Sequence, residues 1–300
     1  MTAARNETTE ITYYNRPVLK PPVWIWTVPA YFFVGGISGA AMTMGLAAQL
    51  AGGTRLRQFE ERCRWVGAIG GGIGSVLLIS DLGRKARFLG MLRVFRPSSP
   101  MSVGSWVLAL ATPLSAGSAL LSMTRGGLWY VGYAAGVGAG ILGMPLATYT
   151  GVLLGNSAVP IWLATRKTLP LLFGASAAAS LASIFDLMTL GDRERTIAHR
   201  FGIAGRVAEL AAGEAVERQA CANAQVGRPF RQGASGALWK AAKVFTLASL
   251  ILTLFPGKGK TQRRAAGICG ILGGLSLRFA VLHAGKVSSL DPRATFSQQQ

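Results

Sequence analysis

Long apolar runs separated by short, mostly basic gaps set the pattern of this chain from end to end. An α-helix rises about 1.5 Å per residue, so roughly 20 mostly apolar residues cross a hydrocarbon layer. At that length the pattern predicts spans at Trp26–Leu50, Trp65–Leu82, Val103–Met123, Leu128–Leu154, Leu169–Leu190, Phe201–Ala222, Leu238–Phe255 and Ala265–Lys286. The expected fold is all-α and integral to the membrane, a polytopic bundle of about eight transmembrane helices. The sixth segment is the weakest, because Arg206, Glu209, Glu214 and Glu217 interrupt it; as an interfacial helix it would leave about seven spans. Residues 1–25 then form an N-terminal extramembrane segment, 26–286 the helical membrane domain and 287–300 a C-terminal tail.

Two residue types sharpen this reading. All seven tryptophans (Trp24, Trp26, Trp65, Trp106, Trp129, Trp162 and Trp239) fall at or near predicted segment ends. Interfacial belts place indoles there, apolar body inward and N–H toward the headgroups. Among the 39 glycines, Gly35/Gly39, Gly67/Gly71, Gly70/Gly74, Gly132/Gly136/Gly140 and Gly270/Gly274 recur at four-residue spacing. That spacing lines small residues on one helix face and lets neighbouring backbones approach. The Gly70–Gly74 run follows no strand and precedes no phosphate-cradling lysine, so it is not a nucleotide loop.

Composition changes the picture in three places. Half the residues are apolar and only 14% charged, against about a quarter in soluble chains. The net charge of +19 suggests a nucleic-acid partner, but the basic residues lie in the gaps between apolar runs and form no separate basic domain. They orient the spans and attract anionic headgroups instead. Cys63, Cys221 and Cys269 stand alone, without spacing for zinc or an iron–sulfur cluster. The polar N-terminus shows no signal-peptide core and no twin-arginine motif, so the first apolar helix is expected to direct insertion. An even helix count puts both termini on one side. The densely basic short loops around Arg55–Arg64 and Lys258–Arg264 lie on the other and place the termini outside the cytoplasm.

With only His199 and His283 present, at the margins of two different spans, a bundle-buried haem is disfavoured. Ionisable and hydroxyl groups at span rims are the remaining candidates. Asp81 closes the second span beside Arg84, Lys85 and Arg87. Tyr31 begins the first helix and Tyr149 nears the end of the fourth, so helix parity brings all three to one rim, where they would suit the headgroup of a lipophilic ligand. Glu209 lies three residues from Arg206, and Glu214 four from Arg218, so each pairs along a helix face in the plainer reading. Asp186 lies near a segment end, within reach of water.

Several longer stretches are distinctive. They are Tyr14 to Gly36 (YNRPVLKPPVWIWTVPAYFFVGG), Ser80-Asp81-Leu82-Gly83-Arg84, Arg87 to Arg93 (RFLGMLR), Pro97 to Trp106 (PSSPMSVGSW) and Ala284 to Pro292 (AGKVSSLDP). Together they resemble the NrfD/polysulfide reductase membrane-subunit family over essentially the whole chain. The resemblance implies an eight-helix subunit of the bacterial inner membrane that binds quinol or quinone, menaquinone or ubiquinone, and carries no haem or iron–sulfur cluster of its own. It further implies a docked ferredoxin-like iron–sulfur subunit with four clusters, linked to a molybdopterin-type catalytic subunit or a multihaem cytochrome. Catalysis then belongs to the complex rather than to this chain alone. Carried onto this sequence, the quinone site is represented by Tyr31 and Tyr149, with Asp81 of the DLGR motif as the catalytic proton acceptor. The basic segment with Arg84, Arg87, Arg93 and Arg96 would hold the partner through an electrostatic patch, or serve as an ordinary orienting loop, or both. The sequence departs from the family at Lys85, where proline is common, and at Tyr31, where some members carry a quinone-bonding histidine. A phenol hydrogen-bonds a quinone oxygen but is a poor base at neutral pH.

Two alternatives stay open. A transport or proton-translocating subunit would use Asp186, Glu209 and Glu214 as a relay. A ligand-free membrane anchor would leave Tyr31 and Tyr149 without a role.

Overall fold

The computed structural model describes residues 19–82, 90, 92–255 and 259–296. Among them the chain forms eight long helices: α1 (Thr27–Gly52), α2 (Arg57–Asp81), α3 (Pro100–Leu121), α4 (Gly127–Gly155), α5 (Leu169–Leu187), α6 (Asp192–Cys221), α7 (Gly233–Leu254) and α8 (Lys260–Leu290). Short helices at Pro160–Ala164, Ala224–Arg231 and Pro292–Phe296 fill some of the turns between or after them. Seven of the eight are long and apolar enough to cross a membrane, α6 being the exception, and the protein is a multi-pass integral membrane protein.

The long helices pack as two four-membered rings. In the first, α1 touches α2, α2 touches α3, α3 touches α4, and α4 returns to α1; α5, α6, α7 and α8 close the second ring in the same order. The rings join where α1 meets α5 and α8, and where α4 meets α5. Each ring has four antiparallel members, so both start and finish on one face of the bundle. We call this the proximal face and the opposite one the distal face. Lys286 Nζ donates to the Trp24 carbonyl, which ties the two ends of the bundle together at the proximal face.

Small residues make these contacts tight. A Cβ on Gly39 of α1 would stand 2.6 Å from the Ala147 nitrogen of α4, and one on Gly143 would stand 2.7 Å from Thr43 Oγ1. The glycines at four-residue spacing behave in the same way. Gly71 faces Thr112, Gly132 faces Leu121 and Gly270 faces Ser249. Without a hydrophobic drive between helices in lipid, such close van der Waals contact is what holds a bundle together.

Helix ends follow local chemistry more than hydropathy. Ser99 caps α3 by accepting from the Ser102 amide, with Pro100 in the first turn. Gly126 and Gly233 adopt positive φ at the entries to α4 and α7. The second span, expected from Trp65, starts eight residues earlier at Arg57. Its charged first turns are neutralised by Arg57–Glu61 and Arg64–Glu60, and by Arg62 reaching Glu194 at 2.6 Å. Charges paired at helical spacing lengthen a helix beyond its apolar stretch.

The sixth segment is a member of the bundle, not an interfacial helix. It has 30 residues, begins at Asp192 rather than Phe201, and packs along α5 and α7. Glu194 near one end holds Arg62 at the distal face, while Gln219 near the other accepts from Thr168 at the proximal face, so α6 traverses the whole bundle. The tryptophans also need correction. Trp162 and Trp239 do sit near segment ends, but both are buried and donate inward, to the Val281 carbonyl and to Glu217 Oε2, each at 2.9 Å. Indole N–H groups satisfied by protein leave nothing to seek at the headgroups.

Candidate functional site

At the proximal end of the first ring, α1, α2, α3 and α4 enclose a cavity of about 190 Å³. Its walls are mostly apolar, from Trp24, Phe32, Leu78, Met101 and Leu153, and its polar groups are Tyr31, Asp81, Ser105 and Tyr149. The three rim residues expected to converge from helix parity therefore line one cavity.

Each is positioned by its neighbours. Tyr31, 1% exposed, points from the second turn of α1 across the ring, and its hydroxyl is hydrogen-bonded to that of Tyr149 on α4. Gly35 and Gly74 lie flat against the Tyr31 ring, where Cβ atoms would come within 3.2 and 3.3 Å of its edge. Gly104 on α3 does the same for Tyr149, with no room for a side chain beside the ring. Asp81, the last residue of α2, accepts from Thr27 Oγ1 at 3.1 Å. Thr27 and Tyr31 are four residues apart and share one face of α1, so a single helical turn presents one hydroxyl to the cavity and another to its carboxylate. Trp24 stacks on Trp162 at 5.9 Å and 20°, and meets Phe32 edge-on at 6.4 Å.

Thr27 and Ser105 were not singled out from the sequence, and Trp24 was expected only as an interfacial indole, not as part of a site. Thr27 was within reach of sequence reasoning, because Thr27 and Tyr31 have the i, i+4 spacing of a shared face. Trp24 was not, because its partner Trp162 is 138 residues away and no local pattern announces the stack. Of the expected docking residues, Arg93 and Arg96 are exposed in the segment before α3, and the Arg96 amide donates to Ser102 Oγ at 3.0 Å. Arg84 and Arg87 lie outside the described residues.

The second set of candidates is dispersed. Arg206 does not pair with Glu209 along α6; its Nη2 reaches across to Asp186 Oδ2 of α5 at 2.6 Å and to Ser183 Oγ at 3.2 Å. Asp186 is therefore held in an ion pair rather than left to water. Glu209 lies buried in the second ring, in the fields of Arg278 and Arg206. Arg278 lies over the Phe173 ring at 3.9 Å and donates to the Phe173 carbonyl at 2.9 Å. Glu214 pairs with Arg218 as expected, and also with Lys243, but it is half exposed and stands apart from Asp186 and Glu209. His199 and His283 are both exposed, and among the described residues no cluster of His, Cys, Asp and Glu is arranged to hold a metal ion.

A cavity with two phenols and a carboxylate on apolar walls, at the rim of a membrane bundle, has the composition of a site for a lipophilic molecule with a polar ring. Comparison with known proteins agrees with that composition. The family model described as polysulfide reductase matches residues 12–291. No individual curated protein matches the chain. The match spans all eight long helices and every residue lining the cavity, and the chain belongs to the NrfD family of polysulfide reductases.

Proposed function

We propose that this chain is the quinol-binding membrane subunit of a multi-subunit oxidoreductase, and that the quinone ring occupies the cavity between Tyr31, Asp81 and Tyr149. The observation that carries the reading is the convergence of those three side chains from three helices onto one small cavity. At about 190 Å³ it is below the range of drug-sized sites. It suits the ring alone, with the isoprenoid tail running out along the half-exposed Met101 flank.

The polar groups match a hydroquinone and a quinone equally. Tyr31 and Tyr149 have two O–H protons between them and use one in their mutual hydrogen bond. The other is left to donate to a quinone carbonyl oxygen. Thr27 occupies one oxygen of Asp81 and leaves the second to accept a proton from a hydroquinone O–H. On oxidation the hydroquinone loses two protons and two electrons. The protons pass through Asp81 to water at the proximal face, and the electrons pass to an iron–sulfur protein docked on that face, where Arg93 and Arg96 provide positive charge. Reduction of quinone runs the same steps in reverse. The chain contributes binding and proton transfer, so activity resides in the assembled complex, placed in the bacterial plasma membrane with its termini on the non-cytoplasmic side.

Purification from native membranes in mild detergent, followed by extraction of quinone and measurement of iron in the co-purifying complex, tests this directly. Quinone near stoichiometry together with an iron–sulfur partner is the expected result; neither, in a stable protein, overturns it. Tyr149→Phe should raise the KM for quinol about fivefold, the loss of one hydrogen bond. Asp81→Asn should instead lower kcat with little change in KM.

A second reading, proton translocation, is favoured by one observation. Deep in the second ring, Nε and Nη1 of Arg278 and Nε of Arg206 have no protein partner among the described residues. Buried donors of this kind are commonly met by internal water, which also conducts protons. Glu209→Gln that abolishes proton uptake by proteoliposomes while quinol oxidation continues would establish it; unchanged uptake would remove it.

A further inference from the structure

A wide opening in the second ring lies at the opposite end of the bundle from the quinone cavity. Between the distal ends of α5, α6, α7 and α8 is a cavity of about 660 Å³. One wall is cationic, with Arg195 and Arg200 from the first turns of α6 and Arg263 from α8; His199 lies among them. The other is apolar and formed by the end of α7, where Leu254 and Phe255 are 57% and 66% exposed.

The cationic wall has charge to spare. Asp186 is the single carboxylate in it, and Arg206 takes that carboxylate from inside the bundle at 2.6 Å. Arg195 is engaged by Asp192 and by the Leu190 carbonyl. Arg263 uses only Nε, donating to the Asp186 carbonyl at 3.2 Å, which leaves its two terminal nitrogens. Arg200 is exposed, and its side chain makes no hydrogen bond or ion pair with another described residue. Two guanidiniums thus face the cavity with donors unclaimed by any carboxylate.

We propose that this cavity binds an anionic phospholipid, its phosphodiester bridged by Arg200 and Arg263 and its glycerol-proximal acyl chain lying on Leu254 and Phe255. Guanidinium forks match phosphate oxygens two at a time. Basic recesses between membrane helices recognise anionic headgroups for that reason. A free phosphate would satisfy the cationic wall but leave the apolar one exposed, whereas a lipid covers both. The position agrees, because α7 and α8 are both long and apolar enough to span the membrane, and the end of α7 and the start of α8 line the cavity.

The test uses the full-length protein, delipidated by detergent exchange and returned to nanodiscs of phosphatidylcholine with or without phosphatidylglycerol. Native mass spectrometry after release should show phosphatidylglycerol retained in preference to phosphatidylcholine. Arg200→Gln should weaken that retention about tenfold, and Arg200→Gln combined with Arg263→Gln should abolish it. Arg125→Gln, in the α3–α4 turn, should leave it unchanged. Equal retention of the two lipids overturns the proposal, as does retention in Arg200→Gln equal to that of the parent. Inorganic phosphate raising the melting temperature as much as phosphatidylglycerol does would make this a free-anion site and would also overturn it. Arg200 is exposed and unbonded, so its single variant folds and decides the matter even if the double variant does not.

Discussion

Gly104 shows how much of the proposed quinone cavity depends on a residue that carries no chemistry. It lies against the Tyr149 ring, which cannot retreat without breaking its hydrogen bond to Tyr31. Crowding a packed contact by one methyl costs about 1–3 kcal/mol. Gly104→Ala should therefore turn Tyr149 out of the cavity and reduce quinol oxidation about tenfold or more, with the complex still assembled on size-exclusion chromatography. Equal turnover in the variant would show that the ring has room to move. Tyr31, Asp81 and Tyr149 were legible in the sequence because helix parity alone assigns them to one rim. Gly104 lay inside a recognisable motif, but its purpose depends on a tyrosine 45 residues away, and no spacing encodes that.

α6 is the element whose reading changed most. Hydropathy counts every charge as a cost, so Arg206, Glu209, Glu214 and Glu217 made the segment the weakest of the expected spans, with an interfacial helix as its alternative. The structure divides those charges between two environments. Glu214 and Glu217 meet Lys243 near the proximal end, while Arg206 turns inward onto Asp186. A charge whose partner sits on another helix cannot be recognised from its own segment, and this is why the Arg206–Glu209 pairing expected from spacing gave way to one across helices. Removing one member of a buried pair costs about 3–5 kcal/mol, because the survivor stays charged and desolvated. Arg206→Leu should lower the detergent melting temperature markedly, and adding Asp186→Leu to it should recover most of the loss. Failure of the second change to rescue the first would show that Arg206 acts through other contacts, such as Ser183.

At the scale of the whole molecule, α1 belongs to the first ring yet also touches α5 and α8 of the second. Its crossing with α4 at Gly39 is therefore a joint for both rings. Gly39→Leu should reduce the folded fraction across a denaturing-detergent titration and abolish quinone retention. Gly72→Leu on α2 should do neither, since a Cβ there meets nothing within 4 Å. If both behave alike, glycine content and not glycine position governs the bundle. The eight-helix architecture was readable from apolar run length, and four-residue glycine spacing marked the helix faces that touch. Which helix those faces meet, and that the chain closes into two rings, are long-range facts that no window of sequence contains.

The tie between the two ends of the bundle has a bearing on how the site comes into being. Trp24 forms one wall of the proposed quinone cavity, yet it leans on Trp162, and its own carbonyl is held by Lys286. A ribosome delivers the four helices around the cavity before Trp162, and Lys286 more than a hundred residues later still. The nascent first ring would thus enter the bilayer with its cavity unwalled on one side. Quinone affinity would arrive late, when α8 docks, so a half-made chain has nothing with which to sequester quinone from the pool.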